Sequence, residues 1–188
     1  CVVLETQRAG QIRSSYCTND RTDAVKLARI YVSGLAKIVW EPDAATRERR
    51  EVLHRYLRCV CDASRARNRL KSFLSARGVR VPRGTRLTQP SGRTRILGLG
   101  PWSARQQVLL TQMLEELAGA EQRRRELASV MAAEVASDPT LLRLLRLLGV
   151  RHIIAFAVGA VVGDVTRFAN PKKLVAYLGL TPRVETSG

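Results

Sequence analysis

Residues 43–77 contain neither Pro nor Gly, and apolar side chains return along them at steps of three and four, through Val52, Leu53, Tyr56, Leu57, Val60, Ala63, Leu70 and Leu74. That period belongs to one face of an α-helix. The run therefore predicts a single helix roughly 50 Å long at 1.5 Å per residue. A second such run covers residues 102–136, with Val108, Leu109, Leu114, Leu117, Leu127 and Val135 on its apolar side. Two long amphipathic helices joined by a connector predict an antiparallel coiled-coil arm suited to dimerisation. The connector, residues 78–101, is rich in Gly, Pro, Thr and Arg and reads as a loop or an element ordered by a partner.

Shorter elements flank the arm. The opening C-V-V-L-E reads as a buried strand. A helix follows, with Thr18 or Asn19 as its cap, acids in its first turn and Gly34 as its stop. Residues 35–40 read as a second strand or extended segment, ended by Glu41-Pro42. Beyond the arm, Ser137-Asp138-Pro139 offers a cap and an N1 proline to a helix over 140–148 that Gly149 terminates. Residues 153–162 are the most apolar segment, but fall short of the roughly 20 residues of a membrane span. They read as a buried helix, broken at Gly163-Asp164. Asn170-Pro171 restarts a last helix, closed at Gly179. The expected fold class is mixed α/β, mostly α.

Charge selects the partner. Thirty-two Lys and Arg against sixteen Asp and Glu leave +16, and residues 63–114 hold no acid at all. A solvated face normally interleaves both signs, so this run favours a phosphate-contacting surface. Nucleic acid is the leading partner, ahead of an anionic membrane surface. Cys59-x-Cys61 lacks the spacing and histidines of a zinc module, and the four cysteines read as reduced cytosolic thiols. The start at Cys1, followed by Val2-Val3-Leu4 and without a signal-peptide pattern, fits a piece of a longer cytoplasmic protein.

Few residues invite chemistry. Asp20 and Asp23, three apart at a helix N-terminus, share a face and suit a hard divalent cation. Capping and the macrodipole alone also favour acids there. His54 and His152 have no companion at ligand spacing. Residues 147–155, L-L-G-V-R-H-I-I-A, have the form of a helix-hairpin-helix, whose turn and Arg151 could meet a phosphate or simply pack a core. Ser187 precedes Gly188 in a polar segment, a setting of exposed nucleophiles and, more often, of ordinary turns.

The order of these segments carries a resemblance. T-N-D-R-T-D-A-V-K-L-A-R resembles the K-T-D-x-x-D-A-x-x-L-A motif of the DEDD transposases of insertion sequences, which include Piv-type invertases and bridge-RNA-guided recombinases. L-L-G-V-R-H-I-I-A, then R-F-A-N-P-K-K-L-V-A-Y-L-G-L-T-P, then S-G resembles that family's second block, with Gly149-Val150-Arg151 where the family has G-V-G.

The resemblance implies three parts. Residues 1–42 would be the C-terminal part of a RuvC-like (RNase H-type) domain, 43–137 the helical arm, and 138–188 the start of a helical transposase domain. Asp20 and Asp23 match the last two acids of a Mg²⁺-binding tetrad, whose first Asp and Glu are expected upstream of Cys1. Ser187 matches the nucleophilic serine. In guided members RNA is held by basic surfaces, for which Arg65, Arg67, Arg69, Lys71, Arg77, Arg80, Arg83 and Arg86 are the candidates. The implied activity is DNA transposition or site-specific recombination by a homo-oligomer acting on the nucleoid, with this stretch incomplete for catalysis by itself. Two other readings stand beside it: a non-catalytic basic helical protein that binds RNA or DNA, and a RuvC-like nuclease using activated water.

Overall fold

The computed structural model describes residues 20–36 and 38–180, which fall into two compact units meeting at residues 43 and 44. In the first unit, helix α1 spans Asp20–Val32 with Asp20 and Asp23 in its first turn. Gly34 takes φ +72° just past its end, a left-handed conformation that closes the helix as expected. Residues 35, 36 and 38–40 form no helix, and Ile38 makes an isolated bridge. No strand forms among the described residues, so the β component of the expected α/β mix is not seen there. The C-V-V-L-E segment lies outside the described residues.

The second unit is built on two long helices, α2 over Ala44–Ser75 and α4 over Ala104–Ser137. They run antiparallel, because partners on α4 descend as those on α2 ascend: Arg49 meets Glu134, Arg67 meets Glu121 and Arg69 meets Glu116. α4 starts in a reciprocal capping box between Ser103 and Gln106, which satisfies donors at both positions.

The connector departs from the loop expectation. It contains helix α3, Pro90–Leu97, with Pro90 opening its first turn. Ile96 is fully enclosed, packing with Leu70, Leu74, Leu110, Leu114 and Leu117 at the far end of the hairpin. Trp102 closes this end by donating from Nε1 to the Leu97 carbonyl at 2.9 Å. Gly92 is buried where a Cβ would collide with the Arg86 carbonyl, so its lack of a side chain lets residues 84–89 fold back on α3.

A second core lies at the opposite end. α5, Pro139–Leu144, is capped by Asp138, whose Oδ1 accepts from the amides of Thr140 and Leu141 at 2.8 and 3.3 Å. It stops at Leu144, and turns carry the chain to Gly149 at φ +83°. α6, His152–Val162, then lies against α2, α4 and α5, burying Ala155, Phe156 and Ala160 with Leu53, Tyr56, Met131, Val135 and Leu141. Gly159 lets it approach α5, since a Cβ there would stand 2.6 Å from the Leu141 side chain. A 3₁₀ turn, Val165–Arg167, and helix α7, Pro171–Tyr177, complete the described chain.

Candidate nucleic-acid interface

On α4 the two cores are separated by Glu121 and Arg124, which follow Ala120 of one cluster and precede Leu127 of the other. Glu121 is the hub of this polar layer. Its Oε1 accepts from Arg67 Nη2 at 2.7 Å, and its Oε2 accepts from Arg124 Nε at 2.9 Å. Burial works to raise the Glu121 carboxyl, but the two guanidiniums prevail and hold it below its ordinary value of 4.5.

This layer divides the predicted basic surface. Arg67 and Arg69 spend part of their hydrogen-bonding capacity inside the hairpin, Arg69 Nη2 reaching Glu116 at 2.9 Å. Arg77 folds over the Phe73 ring, 3.6 Å from its centroid, and donates to the Phe73 carbonyl. Arg65 stands 3.9 Å from Asp62 on the exposed side of α2. Lys71, Arg80, Arg83 and Arg86 are exposed. Thus the acid-free run is partly neutralised, through acids that arrive across the hairpin. Arg124 and Arg125, which local charge counting passed over, join Arg67 and Arg86 around one hollow. The pairing of α2 with α4 and the fold-back of residues 84–89 bring these four together.

The carboxylate pair sits in the first turn of α1. Asp20 is exposed and Asp23 half-buried, with Asp23 Oδ1 out of contact with solvent. Among the described residues no three His, Cys, Asp or Glu side chains gather as a metal site would require. The pair by itself offers hard oxygen donors of the kind a divalent cation takes, with no third acid beside it among the described residues. Arg151 is exposed at the N-cap of α6, and His152 is exposed beside it. Ser187 lies outside the described residues.

The R-F…Y-x-G-L pattern acquires a structural meaning. The C-terminal carbonyls of α6 are met by side chains: Arg50 Nε donates to Ala160 O at 2.9 Å, Arg167 Nε to Val162 O at 3.1 Å, and Tyr177 Oη to Val161 O at 3.3 Å. The Arg167 guanidinium lies 4.2 Å from the Phe168 ring centroid and 4.5 Å from that of Tyr177, so it caps α6 and ties α7 to it. Past Tyr177, the Leu180 amide donates to Val175 O and the Gly179 amide to Ala176 O, both at 3.0 Å, with Gly179 at φ +71°. This paired reversal ends α7 and needs glycine at its left-handed position.

This helical segment lies within a stretch that is similar to a known family. Residues 142–188 match the Transposase IS116/IS110/IS902 family. Among curated proteins, the putative transposase y4qE of Sinorhizobium fredii strain NGR234 is 28% identical over 195 aligned residues, taking in all of this chain and 45% of the relative. The probable family 20 transposase of Pseudomonas aeruginosa is 36% identical over 80 residues, 43% of this chain and 24% of the relative. The chain thus spans less than half the length of these relatives. No solved structure matches it significantly. Among the described residues no helix is long and apolar enough to cross a membrane.

Proposed function

We propose that this chain is part of a DNA transposase that breaks and rejoins strands through a serine nucleophile. The observation that carries the reading is the family match over residues 142–188, a stretch that includes Ser187. Asp20 and Asp23 would hold Mg²⁺ with further ligands from a RuvC-like domain, and the ion would supply positive charge to a phosphate. Ser187 Oγ would attack the scissile phosphorus while the departing sugar oxygen takes up a proton. That exchange leaves a phosphoserine link and keeps one phosphodiester for rejoining. The antiparallel arm would pair two copies, and its basic surface would hold DNA or a guide RNA. Such a protein would work in the cytoplasm, on the nucleoid.

The test uses the complete reading frame that contains this segment. A covalent protein–DNA adduct should form with the native sequence and vanish with Ser187→Ala. Persistence of the adduct rejects the serine. Strand breakage that continues without any adduct would instead favour the metal-dependent nuclease using water. Asp20→Asn with Asp23→Asn should abolish Mg²⁺-dependent activity, and unchanged activity rejects the metal assignment.

A further inference from the structure

A cavity of about 350 Å³ opens between residues 85–89 and the middle of the hairpin, floored by Leu117 and walled by Arg67, Arg86, Arg124, Arg125 and Glu121. Four arginines and one glutamate line it, with Arg67 and Arg124 on the Glu121 carboxylate and Arg125 Nε donating to the Glu121 backbone carbonyl at 3.3 Å. Glu121 fixes Arg67 and Arg124 in place, yet Arg67 gives it Nη2 alone and Arg124 gives it Nε and Nη2. A guanidinium carries five N–H donors, so each retains donors for a further acceptor. The result is a pre-organised fork for a tetrahedral oxyanion, with neutral donors from Thr88 and Gln89 at its rim. Because the site is concave, one anion can reach several guanidiniums together.

A second hollow, of about 280 Å³, adjoins the first and shares Thr85, Arg86 and Gln89 with it, extending the basic lining to Arg95. Two hollows joined through a common arginine, each larger than one phosphate, suit an anion that repeats along a chain better than a lone phosphate. We propose that these hollows hold consecutive backbone phosphates of one nucleic-acid strand, which crosses the arm at residues 84–89. This inference rests on the nucleic-acid partner assigned above and gives that partner a place.

The experiment measures binding of the 188-residue chain to a labelled oligonucleotide, as single-stranded DNA and as RNA of the same sequence, over a range of salt. Arg86 and Arg125 hold no ion pair in the hairpin, so Arg86→Ala with Arg125→Ala removes charge from the hollow at little cost to folding. Arg55→Ala with Arg58→Ala removes the same charge from an exposed part of α2 outside the hollows. Loss of charge-assisted contacts in the hollow should weaken binding to at least one of the two strands by about tenfold or more. The slope of log affinity against log salt should flatten by between about one and two. The control pair should change affinity by about threefold at most. Equal losses in the two double variants overturn the hollows while leaving the nucleic-acid reading in place. No binding of either strand by the native chain overturns both. Thermal stabilisation by inorganic phosphate, with strand affinity unaltered in the hollow variant, reduces the site to a simple anion pocket and also overturns the proposal.

Discussion

Arg67 on α2 and Glu121 on α4 stand 54 positions apart in sequence and 2.7 Å apart across the hairpin. The carboxylate is shared with Arg124, and its side chain is only 13% exposed. Removing it would leave two guanidiniums facing each other in a poorly hydrated layer, and breaking such a pair costs more than the pair itself contributes. Because Arg67 is substantially exposed, we expect Glu121→Gln to destabilise the fold by about 1–3 kcal/mol, less than for a fully buried network. Chemical denaturation of the native and variant chains measures this, and an unchanged midpoint rejects the role of the pair in stability.

The same group sets a pH dependence. Against the opposing pull of burial, Glu121 is held low by Arg124 and Arg67, and Asp138 by the Thr140 and Leu141 amides and Arg49. A carboxyl whose folded pKa lies below its unfolded value adds stability that is present above the unfolded value and lost as pH falls through the folded one. Melting temperature should therefore be flat near neutrality and fall as pH drops below the ordinary carboxylate values of 4.5 and 3.8. Glu121→Gln should shrink that fall, and an identical acid profile in the variant would contradict the assignment.

Asp138 combines two duties that substitution can separate. It caps α5 through Oδ1 and accepts from Arg49 Nη2 through Oδ2 at 2.9 Å. Asparagine caps helices about as well as aspartate but carries no charge. Asp138→Ala should cost about 1–2 kcal/mol, and Asp138→Asn less than half of that, if the cap is the larger contribution. Equal losses in the two variants would show that the ion pair dominates.

These relationships explain which parts of the fold were legible in sequence. α2 and α4 were readable because a 3.6-residue period sustained over thirty positions is hard to produce otherwise. The starts and stops at Asp138-Pro139, Gly34 and Gly179 were readable because capping and left-handed glycine are local chemistry, whereas the helix expected over 140–148 ends at Leu144, short of the Gly149 taken as its stop. α3 was not, since eight residues give barely two periods and its stability comes from placing Ile96 among leucines far away in sequence. The polar layer was hidden for a related reason. Reading residues 63–114 as an uncompensated basic run counted neighbours along the chain, whereas Glu116 and Glu121 face that run from the opposite helix. For the candidate site, Asp20 and Asp23 fall in the first turn of α1 as their spacing required. Metal ligation and capping ask for the same residues there, and spacing alone does not separate them.

Arg167 offers a test of what the R-F…Y pattern does. Arg167→Ala removes a bond to the Val162 carbonyl and a cation held over two rings, which should destabilise the second unit by about 1–3 kcal/mol. Arg167→Lys keeps the charge but not the planar fork, and should recover only part of the loss. Full recovery by lysine in a melting experiment would mean that charge at the α6 terminus, rather than stacking on Phe168 and Tyr177, makes the lock.

Gly92 separates geometry from charge in the connector. An added Cβ meets the backbone carbonyl of Arg86, so relief requires residues 84–89 to move away from α3. Forced shifts of this kind cost about 1–3 kcal/mol. In a chain of this size each kcal/mol lowers the melting temperature by roughly 2–4 °C. Gly92→Ala should therefore melt several degrees lower while α2 and α4 keep their helicity, because Ile96 rather than Gly92 holds α3 to the leucine core. The variant retains every arginine, yet the displaced Arg86 carbonyl takes its side chain out of the hollow it shares with Arg67 and Arg124. Limited proteolysis should cut first within residues 84–89, and protection of that segment equal to the native chain would show that the carbonyl is not held against Gly92.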